Sequence, residues 1–286
     1  MKPAQPYCPD WATALLNGFS QVLLQRNPLC GVLCLLAILY AAPDLLGGAL
    51  LGAVGGLLTA QRRGYLRAHR QAGLYSYNGV LIGLLLSAQL PWSALLPLLI
   101  LSASGLSAML VEQWLLRRPL LPAYTSPFVL LGWLVLSLGQ PAPPPPVAAH
   151  FSPSDVFNAL GQIFVLNSPI AGALIALGVL IADRRAACWA LAGSALGLGV
   201  AWLLGQPAIS GLYGFNPALA ALAFSSGRWQ PLLAISLAVA VQQGFEHFQL
   251  PMLTAPFIFA CWLVKAGTHL YKPATSQTLR SDSPTP

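Results

Sequence analysis

The chain states one pattern twice. Gly73-Leu74-Tyr75-Ser76-Tyr77-Asn78 returns as Gly211-Leu212-Tyr213-Gly214-Phe215-Asn216, and Pro122-Ala123-Tyr124-Thr125-Ser126-Pro127-Phe128 returns as Pro251-Met252-Leu253-Thr254-Ala255-Pro256-Phe257. A third pair opens each half: Gln21-Val22, six residues before Pro28, answers Gln162-Ile163, six before Pro169. The three offsets, 138, 129 and 141 residues, keep the same order. When such a duplication lies in a membrane protein, the two halves build a site at their interface near the bilayer midplane.

The chain is apolar enough for that setting. Charged residues make up 7% of its 286 residues and hydrophobic ones 56%, with mean hydropathy +0.68. A soluble domain carries about 25% charged residues, so this chain lacks the polar surface to coat a globule and lipid must be its main solvent. No cleavable signal peptide is expected, because the first apolar stretch follows Asp10 and lacks a basic head and a cleavage site. Cys8, Cys30, Cys34, Cys188 and Cys261 are odd in number, form no CxxC and sit mostly in apolar runs. They read as small buried apolar residues rather than metal or redox groups.

Segmentation at about 20 residues per span gives two matching runs. A short segment at 11–25 ends at Arg26-Asn27-Pro28, and spans follow at 29–46, 45–61, 73–89, 91–113 and 122–139. A short segment at 154–167 ends at Asn167-Ser168-Pro169, and spans follow at 169–182, 186–205, 212–227, 229–246 and 252–270. The predicted fold is an all-α polytopic membrane protein with ten transmembrane helices plus two half-spanning re-entrant helices. Sequence leaves open whether the re-entrant helix is the short opening segment or the one before each threonine motif. It also leaves open an interfacial helix in place of the short segment.

The charges fix the count. Lys2 and Arg26 precede the first span; Arg62, Arg63, Arg67 and Arg70 follow the second; Arg117 and Arg118 follow the fourth. Arg184 and Arg185 follow the sixth, Arg228 the eighth, and Lys265, Lys272 and Arg280 lie near or after the end of the tenth. All fourteen basic residues then share one side, which the positive-inside rule makes cytoplasmic, together with both termini. A net charge of +7 so distributed speaks for topology and against a nucleic-acid partner. Because five spans are odd, the second half enters from the opposite side and the halves are inverted repeats. Residues 1–140 form the first repeat, 141–152 a Pro-rich external linker, 153–271 the second repeat and 272–286 a disordered cytoplasmic tail.

No Asp, Glu, Lys or Arg sits firmly in mid-span; Lys265 can snorkel to the inner face, and Glu112 and Glu246 occupy matching helix ends. Ion-coupled transporters and proton relays generally carry ionisable residues within the membrane, so the pattern favours passive passage of a neutral solute. The polar residues at depth are uncharged pairs: Gln21 with Gln162, Asn78 with Asn216, Thr125 with Thr254. Each either bonds a neighbouring helix or meets a polar solute, and prolines beside two of the pairs free backbone carbonyls that can line a passage.

GLYSYN with LPAYTSPF, then GLYGFN with LPMLTAPF, resembles the urea transporter family, over about residues 11–270. The resemblance implies ten spans and two half-spanning helices in inverted repeats, a homotrimer with one pore per protomer, and channel-like passage of urea down its gradient through a slot-shaped filter. By motif position it implies slot walls at Tyr77, Leu81, Phe215 and Leu219. It implies filter sites at Gln21 and Gln162, with Val22, Leu24, Ile163 and Phe164 beside them, and a midpoint at Thr125 and Thr254. Three features depart from the family pattern: Tyr77 replaces the usual Phe, Tyr124 the usual Leu, and no aromatic closely follows Gln21-Val22. Short loops and minimal length point to a bacterial inner membrane. No cofactor or metal is expected: the four histidines are scattered, no GxSxG occurs and no nucleophile has a visible base. The alternatives are a channel of this architecture for a short-chain amide or ammonia, and an ion-coupled transporter.

Overall fold

The structure, a computed structural model, describes residues 10–117, 120–138, 152–206 and 211–270. Most of the expected linker and the whole expected tail lie outside the described residues. The described chain is α-helical. The first run comprises α1 (Asp10–Gln21), α2 (Pro28–Ala41), α3 (Pro43–Arg62), the single-turn α4 (Arg67–Gln71), α5 (Tyr77–Gln89), α6 (Leu95–Leu116) and α7 (Ser126–Leu138). The second comprises α8 (Asp155–Gln162), α9 (Pro169–Ala182), α10 (Arg184–Leu203), α11 (Phe215–Ala223), α12 (Gln230–His247) and α13 (Ala255–Leu270).

Local chemistry sets the matching starts. Asn27 caps α2 by accepting hydrogen bonds from the N–H groups of Leu29 at 2.9 Å and Cys30 at 3.2 Å, with Pro28 at the first helical position. Ser168 caps α9 through the Ala171 N–H at 3.3 Å, with Pro169 in the same place. A proline there lacks only an N–H that would have no helical partner, and its fixed φ suits the first turn. Asp183 caps α10 through Arg185 and Ala186.

The helices are shorter than ten full crossings require. Only α3, α6 and α10, at 20, 22 and 20 residues, are long and apolar enough to cross a membrane among the described residues. They measure about 30 Å or a little more, against a hydrocarbon core of about 30 Å. α5 and α7 have 13 residues and α11 has 9. The reason is that four of the apolar segments open as turns. The chain turns before α5 and α11, and again at Tyr124-Thr125 and Leu253-Thr254 before α7 and α13. Hydropathy counts those turn residues as span; the backbone does not.

α3 packs on α5 and α6, α10 on α11, and α2 on α9 from the other half. α3 and α5 touch backbone to backbone: a Cβ on Gly52 would lie 1.9 Å from the Gly79 carbonyl oxygen, and one on Gly79 2.2 Å from that of Gly52. Small residues permit such approach where lipid supplies no hydrophobic drive between helices. One core cluster draws on both halves, from Phe19, Leu23 and Leu81 to Phe164, Leu219 and Phe257. Outside it, α2, α6, α7 and α9 present Leu36, Leu39, Leu98, Leu99, Leu130, Leu134 and Leu177 to their surroundings. Trp11, Trp92, Trp202 and Trp229 are exposed at or beside helix ends, where amphipathic rings meet a membrane–water boundary.

The glycine opening each repeated GLY motif holds the short helix in place. Gly73 has φ +76° and a Cβ there would fall 2.3 Å from the Asn17 carbonyl oxygen of α1; Gly211 has φ +73° and a Cβ would fall 2.7 Å from the Ala159 nitrogen of α8. Both therefore need the left-handed conformation and the absence of a side chain. Gly73→Ala should cost about 2–3 kcal/mol, summing left-handed strain of about 1–2 kcal/mol and a forced shift of α1. Gly64→Ala, at φ +67° with nothing within 4 Å, should carry only the strain. Thermal unfolding in detergent reads the difference, and equal midpoints for the two variants would show that α1 moves away freely.

Candidate functional site

The two short helices end alike. At the end of α1 the Leu24 N–H donates to the Gln21 carbonyl at 2.9 Å and the Gln25 N–H to the Ser20 carbonyl at 3.1 Å. At the end of α8 Val165 donates to Gln162 at 3.0 Å and Leu166 to Gly161 at 3.1 Å. This is a Schellman-type stop, with a left-handed residue at its corner. The corners are Leu24 at φ +59° and Val165 at φ +62°. Three other helix ends use Gly64, Gly73 and Gly205 for that conformation, and the end of α12 uses Gln249 at φ +52°. A non-glycine residue held there costs about 1–3 kcal/mol and persists only where its surroundings dictate it. Ser20 secures the first corner: its hydroxyl donates to the Gln25 carbonyl at 3.1 Å and accepts from the Asn27 N–H at 3.4 Å.

A second pair of left-handed residues, Tyr124 at φ +44° and Leu253 at φ +41°, comes just before Thr125 and Thr254. The two threonine hydroxyls meet at 2.7 Å, with their residues 3% and 4% exposed. Four side chains fix this junction. Trp133 Nε1 of α7 donates to the Pro251 carbonyl at 2.8 Å, and Trp262 Nε1 of α13 donates to the Pro122 carbonyl at 2.8 Å. Asn78 Oδ1 accepts from the Phe128 N–H at 3.1 Å, and Asn216 Oδ1 from the Phe257 N–H at 3.3 Å. The tryptophan bonds run from each half to the other; the asparagine bonds hold α5 to α7 and α11 to α13 within each half.

A cavity of about 340 Å³ opens beside this junction, and Gln21, Leu24, Tyr77, Trp114 and Tyr124 are among its lining residues. The side-chain amide oxygen of Gln21, Oε1, is buried and has no hydrogen-bond partner, so it stands ready to accept from a solute N–H. Among the described residues, neither a carboxylate nor a cationic side chain lines the cavity. Val22, Leu81, Ile163, Phe164 and Leu219 are at most 2% exposed, and they join Tyr77 and Phe215 in the shared core. Gln162, half-buried at the end of α8, does not line this cavity.

Sequence reasoning missed the reciprocal tryptophans, although a signal was present: each follows its threonine by eight residues. It left the asparagines open between helix contact and solute contact; their oxygens are taken by backbone N–H groups. Glu112 accepts from the Tyr75 hydroxyl, whose oxygen lies 3.3 Å from His69 Nδ1, a tie between helix ends. Among the described residues no group of three His, Cys, Asp or Glu side chains is placed to hold a metal.

The sequence model of the family described as "Urea transporter" matches residues 12–267. Urea transporter 1 of Rattus norvegicus is 30% identical over 314 residues, covering 96% of this chain and 79% of the relative. Urea transporter 1 of Ovis aries is 28% identical over 315 residues, covering 92% and 77%. The repeated motifs, the apolar helices and these matches lead to one conclusion: the chain belongs to the urea transporter family.

Proposed function

We propose that the chain conducts urea passively, through a slot between its two halves whose midpoint is the Thr125–Thr254 pair. The observation that carries this reading is the 2.7 Å contact of those two hydroxyls, buried and uncharged, where both broken segments meet. Urea is flat, with four donor hydrogens and a carbonyl that accepts. A solute of that kind exchanges water for threonine oxygens, freed carbonyls and the unpartnered Gln21 oxygen, while apolar walls face its two sides. An ion entering the same place loses hydration and finds no counter-charge, a large cost at low dielectric. Conduction also needs repeated weak sites rather than one tight site, which implies low apparent affinity and fast flux.

Gln21, Val22, Leu24, Tyr77 and Leu81 serve the slot from the first half in this reading. Gln162, Ile163, Phe164, Phe215 and Leu219 serve it from the second. The halves are inverted repeats. The reciprocal Trp133–Pro251 and Trp262–Pro122 bonds support that relation, because a two-fold axis turns each into the other. The one-sided arginines support cytoplasmic termini.

Purified protein in liposomes should pass urea with no proton or sodium gradient, and Thr125→Trp should abolish that flux while leaving assembly unchanged. Flux that needs an ion gradient would sink the passive mechanism; unchanged flux in an inserted Thr125→Trp protein would reject the midpoint. Orientation is read separately, in a background with Cys8 and Cys188 replaced. An impermeant maleimide should label Arg63→Cys only from the cytoplasmic face and Ser93→Cys only from the opposite one, and labelling of both from one face contradicts the span count. The homotrimer that family resemblance implies should give a cross-linking ladder that stops at three subunits.

A further inference from the structure

The two halves solve the same local problem in different ways. In the second half Asn216 uses both ends of its amide: Oδ1 accepts from the Phe257 N–H, and Nδ2 donates to the Leu253 carbonyl at 3.2 Å. That bond pins the left-handed residue immediately before Thr254. In the first half Asn78 Oδ1 accepts from the Phe128 N–H in the same way, which fixes the orientation of the amide. Its Nδ2, however, makes no hydrogen bond, although the residue is 1% exposed. The matching carbonyl, that of Tyr124, accepts instead from the Tyr77 hydroxyl. The phenol thus takes the place at this carbonyl that the asparagine amide takes in the other half. Phe215, which occupies the corresponding place there, has no hydroxyl to insert.

We infer that Tyr77 is the size-selecting residue of the passage, its hydroxyl standing at the oxygen-lined edge and excluding amides bulkier than urea from the first-half wall. This rests on the slot reading given above. Three observations bear on it. Tyr77 and Tyr124 both line the cavity that also holds Gln21 and Leu24. The hydroxyl extends the ring as far as the Tyr124 carbonyl, which the slot reading puts on the edge facing a solute's N–H groups or N-substituents. One lone pair is covered on each carbonyl, by the phenol at Tyr124 and by the Asn216 amide at Leu253; the difference is that at Tyr124 the covering group is carried by the wall ring itself, which makes that edge bulkier. The Tyr124 ring is itself held, edge-on against Phe257 of the other half at 5.1 Å between centroids, so it is not free to swing clear.

The test compares urea and N-methylurea flux in liposomes for the wild type, Tyr77→Phe and Phe215→Tyr. Tyr77→Phe should let Asn78 bond the Tyr124 carbonyl, as Asn216 bonds that of Leu253, and should raise the methylurea-to-urea ratio about tenfold, the discrimination expected for one carbon in a fitted pocket. Phe215→Tyr should insert a second phenol and lower the ratio several-fold. A ratio unchanged in both variants, with urea flux intact, overturns the role of Tyr77 and leaves the slot standing. Loss of all flux in a properly assembled Tyr77→Phe protein also overturns it, since the second half already works with Phe. Should that variant fail to assemble, Phe215→Tyr decides alone. Absence of urea flux in the wild type removes the slot reading itself.

Discussion

A helix broken inside a membrane leaves backbone donors and acceptors that lipid cannot satisfy, at several kcal/mol each. This chain opens four of its segments as turns ahead of α5, α7, α11 and α13, and ends α1 and α8 at left-handed corners. Everything around the junction follows from finding partners for those groups. The carbonyls of Pro122 and Pro251, just ahead of the two threonines, are each met by a tryptophan of the other half. The N–H groups of Phe128 and Phe257 are met by the asparagines. Neither half completes its own junction, so the halves are bound to fold against each other. α2 and α9 add the apolar contact that brings them together.

The same economy explains why the site is neutral. A charged side chain placed at the junction would need a counter-charge and a full set of bonds in a region already committed to neutral amides, hydroxyls and carbonyls. Leaving charge out keeps the desolvation cost of the empty site small. In the passive reading proposed above, it also makes the site indifferent to a proton or sodium gradient. The described acidic residues stay at helix ends; Glu112, for one, takes the Tyr75 hydroxyl beside His69.

How far the sequence foretold this varies with the physics involved. The breaks at Pro28 and Pro169 were legible because a cap residue followed by proline acts locally. The order of apolar segments was legible because lipid exposure demands a uniform composition. Helix length was not. Tyr77 and Ser126 begin helices whose apolar lead-in, Gly73–Ser76 and Pro122–Thr125, hydropathy cannot tell from helix. The asparagines were flagged as paired polar residues, yet their partners lie 50 and 41 residues along the chain and no periodicity carries that information. Trp133 and Trp262 looked like ordinary membrane aromatics because an indole N–H shows its partner only in three dimensions.

Duplication supplies a constraint but does not enforce identity. Each half must pin the carbonyl of a left-handed residue before its threonine, and any donor of the right reach will serve. The second half uses an amide. The first uses a phenol and leaves the Asn78 nitrogen with no bond of its own. An unsatisfied buried donor costs about 1–3 kcal/mol, comparable to the net worth of the bond the phenol makes. On stability alone the exchange of Phe for Tyr therefore gains little or nothing. Its effect falls on the one place where a single oxygen changes what fits, the edge of the passage, and the asymmetry between Tyr77 and Phe215 is best understood as a difference in selectivity laid over two halves that share one scaffold.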